Sequence, residues 1–331
     1  MLTNKDSCRI VILGGAGFIG FHLAKFFYMN CNLEIVLIDN FINGKNDLEF
    51  QKFIALSRVR FLNLNLSHQD SFKNLFTSND IVLNCAALNG TQNFYTNPVH
   101  VIHNSALSSI LAAEYCAAAQ VLSYIYFGSS ESYAGGVSLG YLEVPTAENV
   151  PLVIEDVSNP RWSYAASKSI GEVSTIANHV QFGLQYYILR VHNIYGPRMG
   201  FNHVIPDLIR KFSSGNFQVN GAHETRAFLF IQDLNTILSE VIFTEKLEKN
   251  SIYNVGSNNE ITILNLAKLI LQEMNLESEI EPIESFKGSV PKRCPDTSLM
   301  RSKISYPDTP LSVGIRETLA WYKNNENLLY P

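Results

Sequence analysis

The chain has 331 residues, 46% of them apolar and 17% charged, the balance of a soluble globular protein with room for one large core or two joined ones. A net charge of −5 with scattered basic residues argues against nucleic acid and membrane surfaces as partners. No run nears the ~20 apolar residues of a membrane span; the five cysteines form no CxxC pair, and the N-terminus lacks a signal-peptide layout, so the expected compartment is the cytoplasm.

Short apolar runs rich in β-branched and aromatic residues recur at 8–13, 33–38, 59–64, 80–85, 122–127 and 185–191. Their nearly unbroken apolar character predicts parallel strands covered on both faces. Segments with helical spacing lie between them, notably 19–30, 101–119 and 164–181. Strand alternating with helix implies right-handed crossovers and a doubly wound, Rossmann-type α/β sheet. After about residue 192 the regularity weakens: 204–214, 231–246, 262–275 and 311–325 read as helices, 251–256 as a strand, and 276–310 holds five prolines and little periodicity. The expected organisation is a dinucleotide domain over 1–192, with 231–260 returning to it, and a smaller substrate lobe from 193–230 and 261–331.

The first strand runs into "GGAGFIG", which places Gly14, Gly17 and Gly20 at three-residue intervals where a helix opens. A tight turn there lets backbone amides meet a pyrophosphate at a positive helix N-terminus, with Phe18 and Ile19 in the first turn and Gly20 packing the helix close. Asp39 ends the second strand, 19 residues beyond Gly20, where a carboxylate suits the ribose hydroxyls and repels a 2′-phosphate; Asn40 follows it. The expected cofactor is therefore NAD. Asn65 and Leu66 after the third strand would flank the adenine, and small Ala86 and Ala87 after the fourth would leave it space. His100 and His103 lack an acidic or cysteine partner, and no metal is expected.

The stretch "RWSYAASKSIGE" (161–172) puts Tyr164 and Lys168 one helical turn, about 6 Å, apart on one face. A neighbouring ammonium favours a phenolate, which would lower the tyrosine toward physiological pH and make it an acid/base. Lys168 would also hold the nicotinamide ribose, with small residues between the two leaving that face open. "SSE" places Ser129 and Ser130 just beyond the fifth strand, on the ligand-binding edge of an open sheet. Glu131 adds a carboxylate suited to a second acid/base role, or simply to a helix start.

Together with "CAA" at 85–87, "YAASK" at 164–168, "RVHNIYGPR" at 190–198, "TRAFLFIQDL" at 225–234 and "KRCPDTS" at 292–298, these motifs resemble the extended short-chain dehydrogenase/reductases, in particular the NAD-dependent nucleotide-sugar epimerases and dehydratases. The resemblance covers essentially the whole chain. It implies that the tyrosine, helped by lysine and serine, takes the proton of a sugar hydroxyl, usually at C4, while hydride passes to NAD. It further implies a diphosphate-sugar site at Asn193, Arg226 and Arg293, since a guanidinium fork suits phosphate. His192 and His203 would line the sugar pocket, and a homodimer joined through 101–119 and 164–181 is implied.

Departures from the family pattern bear on the net reaction. Sugar 4,6-dehydratases show Thr-Asp-Glu where this chain has Ser129-Ser130-Glu131, which weakens dehydration. Uronic-acid decarboxylases show Thr-Ser-Glu and often Arg-Trp before the tyrosine, as Arg161-Trp162 stand here. Plain C4 epimerases usually lack the glutamate, and Ala134 replaces a usual glycine. The shared expectation is C4 oxidation of a nucleotide sugar on the way to surface-polysaccharide sugars; epimerase, decarboxylase, 4,6-dehydratase and simple dehydrogenase outcomes stay open. A non-enzymatic NAD-sensing module is the alternative from another class, disfavoured by the retained Ser129, Tyr164 and Lys168.

Overall fold

The continuous apolar runs form β1 (Arg9–Leu13), β2 (Glu34–Asp39), β3 (Val59–Asn63), β4 (Asp80–Asn84), β5 (Ser123–Ser129), β6 (Tyr186–Val191) and β7 (Ser251–Val255). The computed structural model describes residues 8–285 and 290–325. The strands make one seven-stranded sheet in the order β7-β6-β5-β4-β1-β2-β3. The pairs β3–β2, β2–β1, β1–β4 and β4–β5 are all parallel. Full burial of β4 and near-full burial of β1 and β5 explain why these segments read as unbroken apolar runs rather than alternating ones. Strand order reverses at β1, so the carboxyl ends of β1 and β4 flank a switch point, the ligand crevice of open α/β sheets.

Five helices matter to this sheet: α1 (Phe18–Asn30), α2 (Thr91–Thr96), α3 (Pro98–Ile102), α4 (Ser108–Ala118) and α5 (Trp162–Phe182). The helix expected over 101–119 is interrupted by a π turn at His103–Leu107. Hydroxyls compete with its backbone ladder: Ser109 donates to the Ser105 carbonyl at 2.6 Å, and Ser105 Oγ accepts from the Leu88 amide at 3.1 Å. Helix α5 ends where Gly183 adopts a left-handed φ of 77°.

The chain divides into two units. The first holds the described residues up to Ser132, with Asp156–Arg190 and Ile237–Tyr253; the second holds Tyr133–Glu155, Val191–Thr236 and the described residues from Asn254 on. Segment 133–155, read from sequence with the first domain, groups with the second unit. Buried Asn254 explains it: its side chain donates to the Thr146 and Asp296 carbonyls at 2.9 and 3.0 Å and accepts from the Tyr133 hydroxyl at 2.9 Å. The second unit contains a three-stranded sheet of Glu260–Thr262, Thr225–Ala227 and Lys292–Arg293, and helices at Val204–Ser213, Ile263–Met274 and Leu311–Lys323. The Pro-rich region 276–310 is thus more structured than its periodicity suggested, with strands at Glu281–Ile283 and Lys292–Arg293 and a helix at Ser298–Lys303.

Candidate active site

In the first unit the glycine run forms the turn from β1 into α1. Gly14 adopts φ 81°, and a Cβ there would lie 3.0 Å from the Ala86 backbone; a Cβ on Gly20 would collide with the Gly14 carbonyl. Gly20 therefore closes the helix onto the glycine turn itself. Gly17, at the N-cap of α1, brings no side chain to the first-turn amides, and Phe18 and Ile19 are half-buried in that turn. Asp39 is buried, and its carboxylate accepts from the Ala16 amide at 3.0 Å and the Phe41 amide at 2.7 Å. This sets the acid against the glycine turn, as a ribose contact requires. Uncapped amides, a shape only glycine fills and an adjacent carboxylate fit a dinucleotide pyrophosphate and ribose.

The other expected cofactor contacts are less uniform. Asn40 accepts from the Ile42 amide at 3.1 Å, and Ala86 and Ala87 are half-buried beyond β4. Asn65 turns the chain, its carbonyl oxygen accepting from Ser67 Oγ at 2.8 Å, while Leu66 is buried in the core cluster with Phe72 and Val82. Leu66 thus packs inward.

Ser129, Ser130, Tyr164 and Lys168 are all buried, between 3% and 8% exposed. Ser129 ends β5, and Tyr164 and Lys168 lie in the first turns of α5. The phenol is pushed well above its ordinary value, first by burial and then by the charge of Glu131, while the Ser129 hydroxyl pulls it down. This corrects the expectation that Lys168 lowers it. The ammonium donates instead to the Phe127 carbonyl at 2.7 Å and stands 5.9 Å from the Tyr164 ring centre. Burial pushes Lys168 itself down to about 8.

Two further residues belong to these surroundings, one of them, Arg161, marked beforehand by a sequence pattern. Phe94, on α2, stacks on the Tyr164 ring at 5.3 Å and 17°; an aromatic in a short helix of unremarkable pattern is easily overlooked. Arg161, noted only as part of a pattern, donates to Glu131 at 3.1 Å and lies over the Trp162 ring at 4.7 Å. It is 6% exposed, and its Nη1 has no hydrogen-bond partner among the described residues.

The second unit holds the remaining expected contacts. Arg226 and Arg293 are register partners on adjacent parallel strands. Arg226 pairs with Glu224 at 2.7 Å and also donates to the Thr225 carbonyl. Asn193, with φ 42°, donates to the Ala227 carbonyl at 2.9 Å. His192 is buried 5.9 Å from the Tyr133 ring, and burial pushes His203, just before the Val204–Ser213 helix, down to about 4. Among the described residues no cluster of His, Cys, Asp and Glu could hold a metal, and no helix is long and apolar enough to cross a membrane.

Comparison with known proteins bears on the family and the fold. A decarboxylase acting on UDP-N-acetyl-alpha-D-glucosaminuronate from Bacillus cytotoxicus is 26% identical over 96% of this chain and 99% of its own. UDP-D-apiose/UDP-D-xylose synthase 2 of Arabidopsis thaliana is 25% identical over 94% of this chain and 90% of its own. The solved dTDP-glucose 4,6-dehydratase of Streptomyces venezuelae, with NAD bound, superposes with TM-score 0.85 at 20% identity, covering 96% and 98% of the two chains. The family described as NAD dependent epimerase/dehydratase matches residues 10–256, so the chain is an NAD-dependent enzyme and belongs to that family.

Proposed function

We propose that this enzyme oxidises the C4 hydroxyl of a nucleotide-diphosphate sugar to a 4-keto species, serving the synthesis of surface-polysaccharide sugars. The convergence of buried Ser129, Tyr164 and Lys168 at the carboxyl end of β5 carries the reading. Tyr164 takes the hydroxyl proton, the Ser129 hydroxyl is the group that favours its phenolate, and Lys168 is placed to hold the nicotinamide ribose. NAD, when bound, supplies the hydride acceptor. On the second unit, Asn193 and the arginine rung of Arg226 and Arg293 are the proposed diphosphate contacts and His203 a proposed sugar contact; on the first, Ser130 is a proposed sugar contact.

Arg161 favours decarboxylation as the net outcome. A buried guanidinium that gives one nitrogen to Glu131 and keeps Nη1 without a partner suits a sugar carboxylate. A 4-keto uronate is a β-keto acid: its C5–C6 bond breaks, carbon dioxide leaves, the electron pair passes into the C4 carbonyl, and C5 is reprotonated. The decarboxylase relative supports this branch. A homodimer is also proposed, through exposed Val99, Ile102, Ile170, Val173, Val180 and Phe182 on α3 and α5.

The test is product analysis by mass spectrometry and NMR with GDP-, UDP-, dTDP- and CDP-sugars, uronic acids included. The expected product has lost carbon dioxide, and Tyr164→Phe lowers turnover by roughly 10²–10⁴ while NAD stays bound. An isomass product would replace decarboxylation by epimerisation. Absence of C4 oxidation with every sugar would overturn the reading.

A further inference from the structure

Three consecutive residues of β5 are gripped by one face of α5. The Tyr126 hydroxyl donates to the Lys168 carbonyl at 3.2 Å, and a Cβ on Gly171 would collide with that phenol. Lys168 Nζ donates to the Phe127 carbonyl at 2.7 Å. A Cβ on Gly128 would lie 3.0 Å from Glu172 Oε1 and 3.2 Å from Arg190 Cγ. Ser129 comes next in the strand.

Glu172 and Arg190 are each 3% exposed. Arg190 Nε donates to both carboxylate oxygens at 3.0 and 3.1 Å, and Nη2 donates to Oε2 at 2.7 Å. A buried ion pair gives a fold little that apolar packing of like volume would not, so its placement needs another reason. Glu172 lies one helical turn beyond Lys168 on the same face. The groups facing the ammonium are the Tyr126 ring at 5.1 Å, the Tyr164 ring at 5.9 Å, Cys85 beyond β4, and Glu172. Burial holds the Cys85 thiol and both phenols protonated, which leaves Glu172 as the charged group among them. Glu131 acts on Tyr164; on the packed helices His100, His103 and Glu114 are exposed, and Ser109 turns to Tyr126.

We propose that the Glu172–Arg190 pair is a positioning element for catalysis: Glu172 is the counter-charge of Lys168, and Arg190 holds that carboxylate against Gly128, fixing the Phe127–Ser129 backbone on which Lys168 and Ser129 depend. This rests on the reading of Tyr164 and Lys168 as the proton-transfer pair. Burial drives Lys168 down, and Glu172 is among the groups that raise it again. Without the carboxylate the ammonium loses a neighbouring negative charge and becomes harder to keep.

The test titrates Lys168 by NMR in cofactor-free protein carrying isotope-labelled lysine, the resonance assigned with Lys168→Met. Glu172→Gln keeps the shape and loses the charge. Its Lys168 midpoint is expected to fall by about one pH unit, with the alkaline limb of kcat for sugar oxidation moving to lower pH by the same amount. A folded Glu172→Gln variant with an unmoved midpoint would overturn the proposal. Should that variant not fold, Glu172→Met with Arg190→Met replaces the pair by apolar volume and is expected to show a fall in the same direction. An unmoved midpoint, or failure of both to fold, would leave the pair as scaffold alone and refute the positioning role. If Tyr164→Phe still oxidised sugar, the catalytic reading would fail separately, since the cofactor-free titration does not depend on turnover.

Discussion

Replacing Lys168 by methionine is expected to remove activity yet stabilise the cofactor-free protein at neutral pH. The lysine is 3% exposed, and burial pushes it from 10.5 down to about 8. At about 1.4 kcal/mol per pH unit, folding with that ammonium charged costs about 3 kcal/mol. Methionine retains most of the aliphatic stem but loses the 2.7 Å bond to the Phe127 carbonyl, which offsets about 1–2 kcal/mol. The variant should therefore be about 1–2 kcal/mol more stable at pH 7, with a higher Tm. The pH dependence follows from the direction of the shift. Between pH 8 and 10.5 the unfolded chain holds a proton that the folded chain has released, so wild-type stability rises with pH across this window and is lost as pH falls through about 8. The methionine variant lacks that rise, so its advantage should vanish at about pH 9 and be reversed by about pH 10. Urea unfolding of both proteins at pH 7, 8, 9 and 10 checks this. A variant less stable at pH 7, or a difference that does not change with pH, would refute the reasoning.

Asp39→Asn keeps an acceptor for only one of the Ala16 and Phe41 amides, which meet different carboxylate oxygens, and removes the charge facing a 2′-phosphate; calorimetry should show NADP affinity rising about tenfold relative to NAD. Val173, 59% exposed on α5, should lie in a dimer contact, so Val173→Glu is expected to convert a dimer to monomer by light scattering without loss of helicity. A wild-type monomer would refute the proposed interface.

The strands were legible because burial on both faces leaves a run of apolar residues no other role explains, and β4 and β1 carry that pattern plainly. The glycine turn was legible for a similar reason: Gly14 and Gly20 answer contacts that no side chain tolerates. What escaped depended on long-range packing. Leu66 beyond β3 is packed in the core cluster with Phe72 and Val82, a placement made by those neighbours rather than by local sequence. The π turn at His103–Leu107 contains Ser105, whose hydroxyl accepts from the Leu88 amide 17 residues earlier, a contact no local pattern announces. Phe94 and Arg161 became visible as neighbours of Tyr164 and Glu131 only once the chain was folded.

The tyrosine–lysine spacing shows what a helical period does and does not determine. Four residues place two Cα atoms on one face, but a lysine head group is free to travel along its stem to whichever acceptor is nearest. Here that acceptor is the Phe127 carbonyl, so burial governs the phenol and Ser129 is the group that pulls it down. The helix motif is thus half of the device. Tyr164, Lys168 and Glu172 recur at one-turn intervals, and the strand supplies Phe127, Gly128 and Ser129 against them. A tyrosine and a lysine four apart occur on many helices; what sets this pair apart is a strand whose carbonyl, bare glycine and hydroxyl meet that face in succession.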